Sequence, residues 1–239
     1  VLAEYLAFHY LEPADLFPKG TPVPKGVRNF PSACARLLLS HTKGRPRRAL
    51  DLGCAVGRAS FELATRVPEV VGIDYSRSFI AAAKRIQRSG RIRFPLRLEG
   101  SLTQPTWARL PHKIARQRVC FKTGDALLPD KGLGTFDLVL AANLIDRLSD
   151  PKKFLTKILP SLVNPGGFLL LTSPYTWSSE FTPSKRWLRD SFPCIRTLLR
   201  PHFRLIHRED LPFLIREHRR KFQYSFADAT VWLRTSSSS

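Results

Sequence analysis

The sequence lacks methionine altogether, so Val1 is not a translation start, and the expectation is a segment of a longer chain. Cysteine is scarce and scattered: Cys34, Cys54, Cys120 and Cys194 form no C-x-x-C pair. That excludes a cysteine zinc knuckle and gives no disulfide framework, so no metal site is expected. Long apolar runs are missing as well. Leu138–Ile145 and Phe168–Thr172 are strand-sized, well short of the roughly 20 residues of a membrane span. The opening VLAEYLAFHY has neither the basic stretch nor the small-residue cleavage site of a secretory leader, which points to a cytoplasmic protein. Low complexity is confined to the closing serines, and 235–239 reads as an unstructured tail.

Negative charge is also in short supply. Nineteen Asp and Glu face 39 Lys and Arg, a net charge of +20 over 239 residues. Residues 84–118 hold ten basic side chains and one acid. Such a surplus attracts polyanions without defining a fold, and it reads either as a solvated basic surface or as a nucleic-acid contact.

What is present is a strand–helix alternation. A first helix, 2–10, leads into a stretch rich in proline and glycine, and Ser32 opens a second helix to about residue 40. Strands are expected at 48–52, 70–74, 119–122, 136–141, 168–172, 203–209 and 230–234, with helices at 58–67, 78–87, 151–162 and 185–199, the last broken near Pro193. Residues 88–118 form a basic insertion containing a strand-like piece, 92–98, and a helix, 107–117; the insertion leads into the third strand rather than to the strands' carboxyl edge. Residues 210–229 read as a long connection. This alternation implies an α/β fold: one domain over 1–234, a seven-stranded, mostly parallel sheet with helices on both faces, and an N-terminal lid in 1–47.

After the first strand comes Asp51-Leu52-Gly53-Cys54-Ala55-Val56-Gly57. Small residues at 53, 55 and 57 allow a tight turn and a close approach to a ligand. A dinucleotide turn reads G-x-G-x-x-G; this one carries an acid instead, which repels phosphate and suits a cation. The second strand ends on Asp74, placed to hold a ribose diol, with Tyr75 beside it for an adenine face. The third ends on Gly124-Asp125-Ala126 and the fourth on Asn143. S-Adenosylmethionine has a sulfonium, an ammonium, a ribose diol and an adenine amine, and no phosphate, so Asp51, Gly53, Cys54, Ala55, Gly57, Asp74, Tyr75, Asp125, Ala126 and Asn143 are the cofactor candidates. The alternative is an ordinary βαβ turn with strand-end acids serving as helix caps.

This region resembles a class I S-adenosylmethionine-dependent methyltransferase, with Ala55 where many members carry glycine. Flanking strings narrow the resemblance: ALDLGCAVGRASFELA, VVGIDYSRSFI, ANLIDRLSDP, LTSPYTW with EFTP, and LPFLIREHRRKFQ. Together, from Tyr5 to Arg234, they are similar to the methyltransferase domain of ovothiol biosynthesis, a 4-mercaptohistidine (5-thiohistidine) N1-methyltransferase often fused to an iron-dependent sulfoxide synthase. Arg189-Asp190 and the residues after Ala126 depart from that pattern.

The resemblance implies attack of an imidazole nitrogen on the cofactor's methyl group, with the ring's tautomer fixed by a hydrogen bond to its other nitrogen. Asn143, Tyr10, Tyr175 and His9 are the candidates for that bond. A free amino acid needs its carboxylate held, for which Arg147 and Arg216 are candidates; Glu180 or Glu217 would meet its ammonium. Phe8, Tyr175, Trp177 and Phe222 would wall out water. Arg216 and Glu217 could instead pair with each other, and His9 could be a packed ring on its helix. A nucleic-acid methyltransferase is the competing function. The basic cluster interleaves only Phe94 and Trp107, and the fourth strand is followed by Asn143-Leu144-Ile145-Asp146, not by an N/D-P-P-Y/F string; both facts make nucleic acid the weaker reading.

Overall fold

A computed structural model describes residues 1–111 and 114–236. Three helices open the chain: α1 (Leu2–Tyr10), the short α2 (Pro13–Leu16) and α3 (Phe30–His41). The Asn29 carboxamide caps α3 by accepting from the Ser32 amide, and Pro31 occupies the first turn, where its missing N–H costs nothing. Then come β1 (Arg48–Leu52), α4 (Arg58–Leu63), β2 (Glu69–Asp74) and α5 (Arg77–Ser89). The last is capped by Ser76 and ended by Gly90 in a left-handed conformation.

A ribbon follows, β3 (Arg91–Glu99) against β4 (Leu102–Arg109), and then β5 (Val119–Thr123) and β6 (Phe136–Ala142). The expected 151–162 helix is one helical run in three parts: α6 (Pro151–Lys153), a π segment (Phe154–Ile158) and α7 (Leu159–Leu162). Pro160 explains the widened turn, because its ring denies a donor to the carbonyl four residues earlier. β7 (Val163–Ser173), α8 (Ser191–Leu199), β8 (Phe203–His218) and β9 (Lys221–Arg234) complete the chain.

Seven strands form one sheet in the order β5-β2-β1-β6-β7-β9-β8. All neighbours are parallel except β7/β9 and β9/β8. The sheet separates two apolar layers. One buries α1, α3, α4 and α5 residues with Leu138, Leu140 and Val231; the other buries the 154–162 run and α8 with Leu169, Leu171 and Trp232. Helices therefore cover both faces, as the alternation implied. No helix among the described residues is long and apolar enough to cross a membrane.

Four expectations are corrected. Residues 107–109 belong to a strand, so no helix starts at Trp107; of the expected span, 112–113 lie outside the described residues, and 116–118 form one 3₁₀ turn. The basic insertion does not run straight into the third strand of the alternation. Its ribbon lies along α1, and its tip reaches the carboxyl side of the sheet, where the Arg219 amide donates to the Leu98 carbonyl at 3.1 Å. Residues 210–229 are not a connection but the overhanging ends of β8 and β9: Ser173, the last residue of β7, pairs with Asp228, so 211–227 project beyond the carboxyl edge. The helix expected from 185 starts only at 191, after a 3₁₀ turn and Asp190 in a left-handed conformation, which puts Pro193 harmlessly in its first turn. Of the serine tail, 237–239 lie outside the described residues, whereas Thr235 bonds to the His202 carbonyl through its amide and hydroxyl.

Candidate active site

Strand order reverses direction on either side of β1, and the crevice at such a switch point lies beyond the carboxyl ends of β1 and β6. The turn after β1 fills it. Gly53 and Gly57 have φ of 72° and 87°, a region closed to most side chains, and Ala55 adopts 47°. A Cβ at Gly57 would stand 2.5 Å from the Phe121 ring, so α4 packs on β5 only because the residue is glycine. The turn spends its amides internally. Gly53 and Cys54 donate to the Ile73 carbonyl, Gly57 to the Cys54 carbonyl and Ala55 to the Asp74 carboxylate. Amides so committed cannot cradle a phosphate, which separates this turn from a dinucleotide site.

The acids take three different places. Asp51 is buried under the turn, accepting from the Ser60 hydroxyl on α4, and burial pushes its carboxyl up to about 7. It secures the turn from below rather than lining the crevice. Asp74 is half-buried; its oxygens accept from the Ala55 and Ser76 amides, which leaves outward lone pairs for a diol. Burial raises its pKa. Asp125 accepts from the Leu127 amide. Past the ends of β2 and β5 opens a cleft of about 460 Å³, lined by Tyr75, Arg77, Thr123, Gly124 and Asp125. Tyr75 is 81% exposed, a free aromatic face at its rim, while Ala126 packs into the second apolar layer and Cys54 is buried. The crevice thus offers a diol acceptor, a stacking ring and a phosphate-poor turn, a donor set that fits S-adenosylmethionine.

Past the crevice, the ends of β6 and β7 bring together Asn143, Asp146, Arg147 and Tyr175. Asn143 has φ of 49°; Thr172 donates its hydroxyl to the Asn143 Oδ1 at 2.8 Å, so the carboxamide nitrogen remains as a donor. Arg147 is exposed, lies 4.8 Å over the Phe181 ring and has no ion-pair partner among the described residues. Tyr175, at φ 55°, donates to Asp228 at 2.6 Å, and Asp228 is clamped by both arms of Arg208. Burial and that carboxylate raise the pKa of its phenol strongly, so it stays protonated.

Several candidates stand elsewhere. Tyr10 donates to the Val56 carbonyl at 2.7 Å and is buried, so its hydroxyl fastens α1 to the cofactor turn. His9 is buried, its pKa lowered to about 3 by burial and the nearby Arg58 charge, and its Nδ1 has no hydrogen-bond partner among the described residues. Phe8 packs against Phe30 and Phe213. Trp177 donates to the Ser191 hydroxyl and belongs to the second apolar layer. Arg216, 6% exposed, donates to the Arg97 carbonyl of the ribbon, whereas Glu217 pairs with Lys221 and Gln223; the two do not meet each other. Phe222 stacks on Phe17, and Glu180 is exposed.

One residue was missed, and Asp146, which reads from the sequence either as a cap of the next helix or as a substrate contact, takes another place. Tyr5 on α1 packs with its ring 4.5 Å from that of Phe79, is partly exposed, and its phenol feels the charges of Arg147, Asp74 and Asp146. Its position four residues before His9, on the face of α1 turned to the site, was the available signal. Asp146 is 1% exposed; Oδ1 accepts from Ser173 at 3.3 Å and Oδ2 has no hydrogen-bond partner among the described residues. It orients the 173–176 turn that carries Tyr175.

Comparison with known proteins agrees with this geometry. A family model described as a methyltransferase domain matches residues 28–218. No curated protein matches the chain. Among solved structures, N-methyltransferase NodS from Bradyrhizobium japonicum WM9 in complex with S-adenosyl-L-homocysteine superposes with a TM-score of 0.58 at 16% identity, covering 98% of this chain and 99% of that one. PH0226 from Pyrococcus horikoshii OT3 gives 0.54 at 18%, covering 93% and 98%. A structure titled for the conversion of a disulfide bond into a thioacetal group during echinomycin biosynthesis gives 0.58 at 19%, covering 87% and 82%. The neighbours share the fold, and the family match decides the class: the chain belongs to the methyltransferase domain family and is an S-adenosylmethionine-dependent methyltransferase.

Proposed function

We propose that the enzyme methylates an imidazole ring nitrogen of 5-thiohistidine (4-mercaptohistidine), giving ovothiol. The observation that carries this reading is Arg147: an arginine without a carboxylate partner among the described residues, standing with Asn143 and Tyr175 at the ends of β6 and β7. That arrangement suits a small zwitterion with a flat ring. The strings similar to the ovothiol family, SPYTW and ANLIDRLSDP, are the ones that supply these residues. An N-methyltransferase among the structural neighbours is in keeping with a nitrogen acceptor.

Bound S-adenosylmethionine supplies an activated methyl group at the crevice. The chain's own residues position the acceptor. Arg147 holds the substrate carboxylate, and Asn143 hydrogen-bonds the ring and selects its tautomer. Tyr175, kept protonated by Asp228, offers its ring as a wall, and Tyr5 and Phe181 exclude water from the mouth. A neutral imidazole has a nitrogen lone pair already, so alignment in a dry site rather than a strong base accounts for the acceleration. The thiohistidine would come from an iron-dependent sulfoxide synthase, fused or separate.

Mass spectrometry after incubation with S-adenosylmethionine and 5-thiohistidine tests this, with histidine and bulk RNA as parallel acceptors. One methyl group gained by thiohistidine and none by histidine supports the reading; label in RNA alone replaces it with the nucleic-acid methyltransferase. Arg147→Gln is expected to raise KM for thiohistidine about 10- to 100-fold, the worth of a charged hydrogen bond, with a smaller effect on cofactor affinity.

A further inference from the structure

Residues 84–118 hold ten basic side chains and one acid, and the fold arranges part of that charge on one face. In the β3–β4 ribbon, Ile92, Phe94, Leu96 and Ala108 are buried against α1 and α5. The opposite face is exposed, and its cross-strand pairs run Arg91 with Arg109, Arg93 with Trp107, Pro95 with Pro105 and Arg97 with Thr103. Four arginines therefore stand on one solvent face: Arg91, Arg93 and Arg97 follow one another along β3 at steps of about 7 and 13 Å, and Arg109 faces Arg91 from β4. Trp107, 38% exposed, has the guanidinium groups of Arg91 and Arg109 at 4.8 and 5.1 Å from its ring. On α5, alongside, Lys84, Arg85 and Arg88 are exposed too. The single acid of the segment, Glu99, is at the ribbon tip, neutralised by Arg219.

We propose that this face binds single-stranded RNA as a docking partner, not as the methyl acceptor. Arginines spaced along an extended strand track a phosphate backbone, and an indole flanked by two prolines gives bases a surface to stack on. A lipid surface is a poorer match, because a membrane-docking face carries several protruding apolar side chains, and this one carries a single indole among arginines. The ribbon's buried face packs on α1 and α5, so RNA on the outer face is separated from those helices by the ribbon itself. The inference is independent of the thiohistidine reading.

Fluorescence anisotropy of a fluorescein-labelled oligouridylate, titrated with the whole chain over a salt series, tests it. Four backbone contacts predict log K falling against log salt with a slope of about −3, at about 0.7 per phosphate. The variant R91Q/R93Q/R97Q/R109Q is expected to weaken binding about tenfold or more, and Trp107→Ala about tenfold. A charge-matched control on the other face, K152Q/K157Q/R196Q/R200Q, should leave binding nearly unchanged; these four side chains are exposed on or beside the helices of the second layer. Cofactor affinity by calorimetry should be the same in all variants, because none of the changed side chains lines the crevice. Equal losses in ribbon and control variants would reduce the effect to net charge and overturn the proposal. So would the absence of oligouridylate binding at physiological salt, or ribbon-dependent binding of phosphatidylserine vesicles without binding of oligouridylate.

Discussion

His9 is a titratable ring enclosed where a proton is unwelcome. Its folded pKa, about 3, lies below the ordinary 6.5, so the unfolded chain binds the proton more readily. Stability from this residue is complete above 6.5 and drains away as pH falls towards 3, by about 1.4 kcal/mol per pH unit within that window. His9→Phe removes this dependence. Urea denaturation across pH should show the wild type losing ground to the variant only on the acid side of 6.5. Asp51, raised to about 7, slopes the opposite way between its ordinary value of 3.8 and 7, so the difference between the two proteins is the quantity to follow. The proposed diol contact of Asp74 gives a second prediction. In Asp74→Asn one carboxylate oxygen becomes an amide that faces a backbone N–H, and calorimetry should find S-adenosylmethionine bound about 10- to 100-fold more weakly. Gly57→Ala should cost about 1–3 kcal/mol in backbone strain before its contact with Phe121 is counted.

At the scale of elements, α1 is tied to the cofactor turn by one hydroxyl. Tyr10→Phe should cost about 1 kcal/mol of stability and loosen cofactor binding slightly, because Val56 loses its partner while the ring still packs. The strands and helices around that turn were legible because parallel strands buried on both faces read as short apolar runs between amphipathic helices. The overhang of β8 and β9 was not. Phe222, Tyr224 and Phe226 alternate with polar residues as a strand should, but Pro212 and the Arg219-Arg220 turn lack a hairpin signature and suggested a connection instead. Pro95 and Pro105 face each other across the ribbon, where a two-stranded ladder leaves each strand an open edge that needs no donor. The strand-end positions of Asp74 and Asn143 were readable from the sequence. The fates of Tyr10, Trp177 and Arg216 were not, because each is decided by a partner far away in sequence: Val56, Ser191 and Arg97.

The whole molecule carries +20, and self-repulsion of that size opposes compactness. Adding salt within the range that shortens the Debye length from about 30 to about 10 Å should therefore raise Tm, which differential scanning calorimetry reads directly. The overhanging strands have a mechanical consequence at this scale. They form a cantilever rooted in the sheet at Ser173–Asp228 and propped at its free end, where the Arg219 amide meets the Leu98 carbonyl. The prop joins the two ribbons that flank α1, so α1 cannot swing outward as a hinged flap without breaking it or carrying both ribbons along. Hydrogen exchange at the Arg219 amide becomes a strain gauge for the whole canopy: its rate should fall when the crevice is filled, and it should rise in step with the amides of α1 whenever the mouth opens.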